Sequence, residues 1–367
     1  MCPGVDELVT RGRYGGLGGC TSRIPIHRNL KAMLNQYSVR AALVAAALVV
    51  SSACSDDEVA GPDVPAAKSV AFVELEGTRP AFYIQNADAT SRTRIHFTGA
   101  EDLVPGNSPL VPQLTDANIL TIRSAKWSPD GTRIAFVATV AADQAEVIVM
   151  NADGTGARVV SPNYAYVLGD VDWSTDGTRL TYVMATKPAL QGLEVFVSEL
   201  SNVPRVTKVT TNSGYRGLGG TVRFASGGNA AWISQVTGEG GAPLFQPIGA
   251  VRKVDLTTGV ITSVKEGLAG EVQAVSHDGA YAIVLRHKSF ENNVYVDQLV
   301  RVPLVGTGPE QLLADGGEIW YARLTTTDSR VVLLRSGNVL SSFTPLGTSQ
   351  ASLRGAGGDV LSADLKN

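Results

Sequence analysis

Cysteine is nearly absent from this sequence, and its placement excludes a disulfide-stabilised fold. The chain of 367 residues has three cysteines, at positions 2, 20 and 54. No disulfide can therefore join two parts of the chain beyond position 54. Basic residues are not in excess either, since 31 lysines and arginines stand against 34 aspartates and glutamates. A net charge of −3 argues against a dedicated nucleic-acid-binding protein, which normally has a basic footprint.

Histidines and the common catalytic motifs are equally scarce. The four histidines, His27, His96, His277 and His287, have no second ligand at the spacing of a zinc site. No Gly-x-Ser-x-Gly, His-Glu-x-x-His or Gly-x-x-x-x-Gly-Lys motif occurs. The sequence therefore predicts no catalytic residues, no metal site and no cofactor.

Three aspartates, Asp170, Asp172 and Asp176, lie close enough together in the sequence to suggest a calcium-binding site. They lack the Asp-x-Asp-x-Asp-Gly spacing and distal glutamate of a specific calcium loop. We expect Asp176 to cap its own turn, with Asp170 and Asp172 along a strand.

The first part of the chain has the pattern of an export signal. Residues 41–50 form an uncharged, apolar run that follows Arg40. This run is too short to span a bilayer as a helix. Small residues and then Cys54 come next. This resembles the lipobox of bacterial lipoproteins, in which the cysteine becomes the acylated first residue. Ser51 departs from that pattern, because leucine is usual at its position. Ordinary secretory cleavage before Cys54, without acylation, is the alternative.

These signals divide the chain into four segments. We expect 1–32 to be a non-native or disordered extension, 33–53 a signal peptide, 54–67 a lipidated tether and 68–367 the folded domain. The protein would then be an outer-membrane lipoprotein that faces the periplasm or the cell surface and contacts the membrane through its lipid alone. The acidic residues 55–58 resemble a surface-export signal, and a solvated tether explains them equally well.

The remainder of the chain is an internal repeat. Residues 125–137 recur closely as 171–183, and weaker copies follow at 222–232, 273–284, 322–333 and 363–367. The copies share one apolar position spaced by 41 to 51 residues, which we call the anchor. The anchors are Trp127, Trp173, Phe224, Val275, Leu324 and Leu365. We expect Trp127 and Trp173 to pack between repeats, because packing explains recurrence at repeat spacing.

Each copy has the pattern of strand, Asp-Gly-type turn and strand, and a second hairpin follows in several of them. Four short strands per unit of this length predict an all-β protein, a six-bladed β-propeller of four-stranded antiparallel blades. The first unit lacks an inner strand, and the last copy has an inner strand with nothing after it. We therefore expect the C-terminal strand to complete the first blade and close the ring.

The repeats resemble those of TolB-like six-bladed propellers. The motifs that carry the resemblance are Trp-Ser-Pro-Asp-Gly at 127–131 and Asn-Ala-Asp-Gly at 151–154. The resemblance covers about 68–367 and fades in the last three blades. It implies a propeller without the N-terminal α/β domain of TolB, for which the sequence leaves no room.

The residue just before each anchor is charged in five of the six copies. These residues are Lys126, Asp172, Arg223, Arg323 and Asp364, with Ala274 as the exception. Strand alternation turns them away from the anchors, so neighbouring blades would present opposite charges near the axis. We predict an ion pair from Asp172 to Lys126 or Arg223. Two interpretations stay open: ion pairs that hold the blades in register, or a charged channel in which Arg223 and Arg323 flank the uncharged Ala274 and favour an anionic ligand.

Together these features predict a monomeric, non-catalytic binding or scaffolding module of the bacterial envelope. Its partner would be an envelope protein or a polysaccharide, and no nucleic acid. The alternative is an enzyme at the mouth of the channel, such as a lactonase or lyase acting on sugars with metal ligands from several blades.

Overall fold

The computed structural model describes residues 69–366, apart from gaps at 87–89, 97–99, 103–114, 116–117, 142–143, 163–164, 187–192, 202–203, 212–220, 241–244, 293 and 354–358. The predicted extension, signal peptide and tether, with Cys54, lie outside the described residues. Within the described part, no helix is long and apolar enough to cross a membrane.

The described chain forms six β-sheets that follow one another as the blades of a ring. The prediction of an all-β, six-bladed propeller is confirmed. Blade 1 contains β1 (Ser69–Glu76), β2 (Arg79–Asn86), β3 (Thr93–Ile95) and the C-terminal β25 (Val360–Leu365). Blade 2 contains β4 (Glu101–Asp102), β5 (Thr121–Trp127), β6 (Arg133–Ala141), β7 (Gln144–Asn151) and β8 (Arg158–Val159).

The next two blades have four antiparallel strands each. Blade 3 contains β9 (Ala165–Trp173), β10 (Arg179–Thr186), β11 (Leu193–Glu199) and β12 (Arg205–Lys208). Blade 4 contains β13 (Val222–Phe224), β14 (Ala230–Glu239), β15 (Pro247–Asp255) and β16 (Ile261–Ala269).

The last two blades repeat this plan. Blade 5 contains β17 (Glu271–Val275), β18 (Tyr281–Glu291), β19 (Val294–Pro303) and β20 (Gln311–Asp315). Blade 6 contains β21 (Ile319–Leu324), β22 (Val331–Arg335), β23 (Val339–Phe343) and β24 (Ala351–Ser352). The six predicted anchors are the last residues of the inner strands β5, β9, β13, β17, β21 and β25.

The ring closes through its C-terminal strand, as predicted. Strand β25 pairs antiparallel with β1, with Val70 opposite Leu365 and Phe72 opposite Ala363. The backbone N–H of Leu75 donates to the carbonyl of Asp359 at 2.8 Å, which extends the pairing. Because β1 would otherwise present an unpaired edge, the last strand satisfies its backbone groups.

One blade departs from the four-stranded plan. Strand β4 pairs in parallel with the outer strand of blade 2, with Glu101 opposite Arg158. Two residues carry no alternation that a sequence pattern could reveal, so this fifth strand was not predicted.

Apolar side chains form six clusters, one for each junction between neighbouring blades. Trp127 packs at the junction of blades 1 and 2, and Trp173 at the junction of blades 2 and 3, which confirms their predicted packing role. The repeat arginine after the Asp-Gly-Thr turn adds a second link. Arg133 of blade 2 lies 5.0 Å from the Trp173 ring centre and donates to the Gly177 carbonyl at 2.7 Å.

The turns after the inner strands share a hydrogen-bond pattern that explains the repeated Ser-x-Asp-Gly sequence. In blade 3, Asp176 accepts hydrogen bonds from the Ser174 hydroxyl at 2.6 Å and the Thr178 backbone N–H at 3.0 Å. These bonds lower the pKa of Asp176 to about 2. Asp176 thus caps its own turn, and Asp170 and Asp172 lie along β9, as predicted.

Candidate functional site

The inner strands bury the charged residues that precede the anchors. Relative exposure is 0% for Asp172, 1% for Asp364, 3% for Arg223 and 6% for Lys126, while Arg323 is half-buried. Charges this far from water need partners, because an isolated buried charge is strongly destabilising. The partners come from other blades.

Asp172 is the centre of a cluster that joins blades 2, 3 and 4. Its Oδ1 atom lies 2.5 Å from Lys126 Nζ and 3.8 Å from Arg223 Nε. Its Oδ2 atom accepts a hydrogen bond from the backbone N–H of Phe224 at 2.9 Å. Burial opposes ionisation, but Lys126 and Arg223 hold the pKa of Asp172 well below its usual range. The predicted ion pair is confirmed with both basic residues.

Arg223 also reaches across the ring, from blade 4 to blade 6. Its Nη1 atom lies 2.7 Å from Asp328 Oδ1, and its Nη2 donates to the Thr325 carbonyl at 2.9 Å. A second pair crosses the ring between blades 6 and 3, with Arg323 Nη2 2.8 Å from Asp170 Oδ1. Because these blades are not neighbours, their side chains meet only through the centre. These two ion pairs therefore cross the axis of the ring.

Asp364 connects the closing strand to blade 2. Its Oδ2 atom accepts a hydrogen bond from the backbone N–H of Trp127 at 2.9 Å, the same contact that Asp172 makes with the next blade. Among the described residues, no hydrogen-bond partner reaches its buried Oδ1 atom. Burial raises the pKa of Asp364 to about 6, although Lys126 partly offsets this effect.

His277 supplies the contribution of blade 5, from the turn after β17. Its Nε2 atom lies 3.4 Å from Asp172 Oδ2, and its Nδ1 atom lies 3.2 Å from Asp328 Oδ2. Burial and the nearby Arg223 oppose protonation, but hydrogen bonds to the two aspartates outweigh them and raise the pKa of His277. A carboxylate on each side therefore favours the imidazolium form.

The uncharged gap expected at Ala274 is not open. Ala274 is buried among the apolar side chains between blades 5 and 6, and His277 of the same blade lies against Asp172 instead. The arginines expected to flank the gap each face a carboxylate, Arg223 on Asp328 and Arg323 on Asp170. Sequence alternation located the inner-strand charges but could not show contacts from the turns.

Above this cluster the turns of five blades surround a depression of about 460 Å³. Each blade from 2 to 6 contributes residues from the turn after its inner strand, and most of these are small or hydroxylated. The lining residues are Pro129, Thr175, Ser226, His277, Asp278, Thr326, Thr327 and Asp328. We call this depression the turn-end mouth.

None of the residues that line the mouth was among the sequence candidates, and two of them, His277 and Asp328, contact the charged cluster. Both stand where the repeat motif is broken. His277 takes the place of Pro129 in the Trp-Ser-Pro-Asp-Gly motif, and Asp328 takes the place of Gly131. These departures from the repeat were the available signal.

The described residues contain no group of three or more His, Cys, Asp or Glu side chains able to hold a metal ion. His287, outside the mouth, is oriented by Asp297, whose Oδ1 lies 2.8 Å from its Nδ1 atom.

The fold and the site define a six-bladed propeller whose axis is crossed by paired charges. No family model matches the chain, and no curated protein matches it. Among solved structures, it is similar to TolB from Acinetobacter baumannii, with 17% identity, a TM-score of 0.56, and coverage of 84% of this chain and 68% of that one. It is also similar to a chain of a nidogen/laminin complex, with 6% identity, a TM-score of 0.52, and coverage of 82% and 99%. Identities this low establish the shared propeller fold alone.

Proposed function

We propose that the protein is an exported, non-catalytic binding module of the bacterial envelope, and that the turn-end mouth is its binding face. The partner is an envelope protein or a polysaccharide. The observation that carries this proposal is the mouth itself, a concave surface of about 460 Å³ to which five blades contribute. Binding sites are typically concave, and in this fold the loops and turns at one end of the ring form such a surface.

The charges beneath the mouth support binding rather than turnover. A general acid or base must exchange a proton with its substrate, at hydrogen-bond distance from it. Asp172 and Lys126 are instead buried against each other. Asp328 and Arg223 are likewise paired. Paired groups of this kind hold a surface in shape, which lowers the entropic cost of binding.

Contacts between distant blades add to this rigidity. Thr326 of blade 6 donates a hydrogen bond to the carbonyl of Trp127 in blade 2 at 2.8 Å. With the ion pairs of Arg223 and Arg323, it ties blade 6 to blades 2, 3 and 4. The mouth is therefore a preformed surface rather than a set of independent loops.

The proposal is tested by comparing how much partner is captured by the wild type and by variants in which the mouth is blocked. Thr175 and Ser226 are exposed in the mouth, and neither side chain donates or accepts a hydrogen bond within the described part. We expect Thr175→Trp combined with Ser226→Trp to reduce recovery of partners from crosslinked envelope fractions at least about tenfold. The matched control is Thr257→Trp with Thr307→Trp, at exposed turns outside the mouth. Equal recovery by both variants would exclude the mouth as the binding face.

The proposed location depends on the leader and on Cys54. The apolar run at 41–50 and the small residues before Cys54 support export and acylation. We expect labelled palmitate to enter the wild-type protein and not Cys54→Ala, which would remain exported but move to the soluble fraction. Equal labelling of the two proteins would contradict lipidation and leave ordinary secretion.

A further inference from the structure

The turn of blade 6 differs from its counterparts at one residue. Blades 2 to 5 have glycine at the fourth position after the anchor, namely Gly131, Gly177, Gly228 and Gly279, and all four adopt φ angles between 65° and 71°. Blade 6 has Asp328 there, with φ 58°. This left-handed region favours glycine, and aspartate is one of the few other residues that enter it.

The Asp328 carboxylate occupies a cluster of donors at the floor of the mouth. Oδ1 lies 2.7 Å from Arg223 Nη1, and Oδ2 accepts the backbone N–H of His277 at 2.7 Å. Oδ2 also lies 3.2 Å from His277 Nδ1. A guanidinium, a backbone N–H and an imidazole that converge on one point are the groups that proteins use to bind carboxylates.

The donors also have partners other than the Asp328 side chain. Arg223 is anchored by the Thr325 carbonyl and lies 3.8 Å from Asp172. His277 is placed by its contact with Asp172 and by its own carbonyl, which accepts the indole N–H of Trp232 at 3.0 Å. Asp328 itself lies on a surface turn, beside the exposed Thr327 and Ser329. Arg223 and His277 are buried, whereas the carboxylate that lies between them is on a more exposed element.

We propose that the floor of the mouth is a carboxylate-binding site, and that Asp328 fills it from within until a carboxylate of the ligand displaces it. This inference rests on the proposed function, since it names the chemical group by which the mouth recognises its partner. A peptide and an acidic polysaccharide can both supply that group. Displacement would release Asp328 from Arg223 and let its turn relax.

Asp328→Gly tests the proposal, because it empties the site and restores the glycine found in the other turns. The probe is sodium acetate, with acetamide as the neutral control. The reporter is the indole N–H resonance of Trp232, which bonds to His277, and the indole of Trp320, bonded to Glu318, is the internal control. We expect a saturable shift of the Trp232 signal in Asp328→Gly, at acetate concentrations at least tenfold lower than in the wild type.

Three results would overturn the proposal. They are equal acetate titrations in Asp328→Gly and wild type, no saturable shift in either, or an equal response to acetamide. The Asp328→Asn variant keeps a side chain that tolerates positive φ and removes its charge, and it should fall between the two proteins. If Asp328→Gly lost the fold, Asp328→Asn would decide the question by the same comparison with wild type.

Two further titrations distinguish the source of the carboxylate. Triglycine against its C-terminal amide reports a peptide carboxylate, and glucuronate against methyl glucoside reports a sugar carboxylate. The acid of the preferred class should bind Asp328→Gly more tightly than acetate does. If neither acid exceeds acetate while Thr175→Trp with Ser226→Trp still abolishes partner capture, the carboxylate inference fails and the proposed binding face stands.

Discussion

Most of the charged side chains near the ring axis are buried, and they are compensated by one another rather than by solvent. Asp172 of blade 3 contacts a lysine of blade 2 and both an arginine and a backbone N–H of blade 4. Each neighbour depends on the carboxylate for compensation, so the pairs act as one network rather than as separate bridges. A buried network of this kind adds little net stability as a whole. The removal of one member is nevertheless strongly destabilising, because it leaves the charge of its partner buried and uncompensated.

Asp172→Asn is therefore expected to be strongly destabilising. The amide oxygen can still accept from Phe224, but Lys126 loses its buried counter-charge, and we expect a loss of about 3 kcal/mol in the free energy of unfolding. Urea unfolding monitored by tryptophan fluorescence measures this change. Asp176→Asn is the matched control, because that aspartate is exposed at a turn and its loss should be below about 1 kcal/mol. Similar losses in both variants would contradict a charge network at the axis.

Because the pKa of Asp364 is raised in the native state, we expect the stability of the protein to depend on pH. Burial raises its pKa to about 6, whereas an aspartate in an unfolded chain titrates near about 3.9. The native state thus holds this proton where the unfolded chain has lost it. Its stabilising contribution is complete below about pH 4 and is lost as the pH rises through about 6, by about 3 kcal/mol in total.

Asp364→Asn should remove this dependence while it keeps an acceptor for the Trp127 N–H. We expect the stability of the variant relative to wild type to increase from pH 4 to pH 6 and then to stay constant. Parallel thermal denaturation series across this range measure the difference. A constant difference at all pH values would show that Asp364 titrates normally.

At the scale of strands, the repeat made much of the fold predictable. All six inner strands end at the predicted anchors, because alternation, the turn motif and the spacing agree in each copy. Strand β4 was missed, since two residues pair in parallel with a distant strand and leave no periodic pattern. The register located the charges at the axis and predicted the ion pair of Asp172. It did not predict the pair of Arg223 with Asp328, because Asp328 lies in a turn that departs from the repeat.

The closing strand β25 carries the clearest prediction at this scale. Removal of residues 358–367 exposes the edge of β1 and takes away the buried Leu365 and the Asp364 contact with Trp127. We expect the melting temperature to fall by roughly 10 °C or more. Removal of Lys366 and Asn367 alone, which leaves β25 intact, should have a much smaller effect. Calorimetry of both truncations makes the comparison, and full thermal stability in the longer truncation would contradict closure of the ring by β25.

At the scale of the whole molecule, the ring differs from an array in which each repeat contacts only its neighbours. The ion pairs of Arg223 with Asp328 and of Arg323 with Asp170 join blades that are not adjacent. They place a rigid floor beneath the turn-end mouth, and the turns of five blades form its wall. Function was harder to infer than fold, because the residues that distinguish this mouth, His277 and Asp328, are departures from the repeat.

Site-specific photocrosslinking in intact cells tests most directly whether the turn-end mouth is the binding face. A benzoylphenylalanine at Ser226 lies in the mouth, and the same group at Thr257 lies on an exposed turn outside it. We expect a discrete adduct with an envelope component from position 226 and none from position 257. The adduct should disappear when Thr175→Trp blocks the mouth. An adduct from position 257 and none from position 226 would show that the protein binds its partner through another surface.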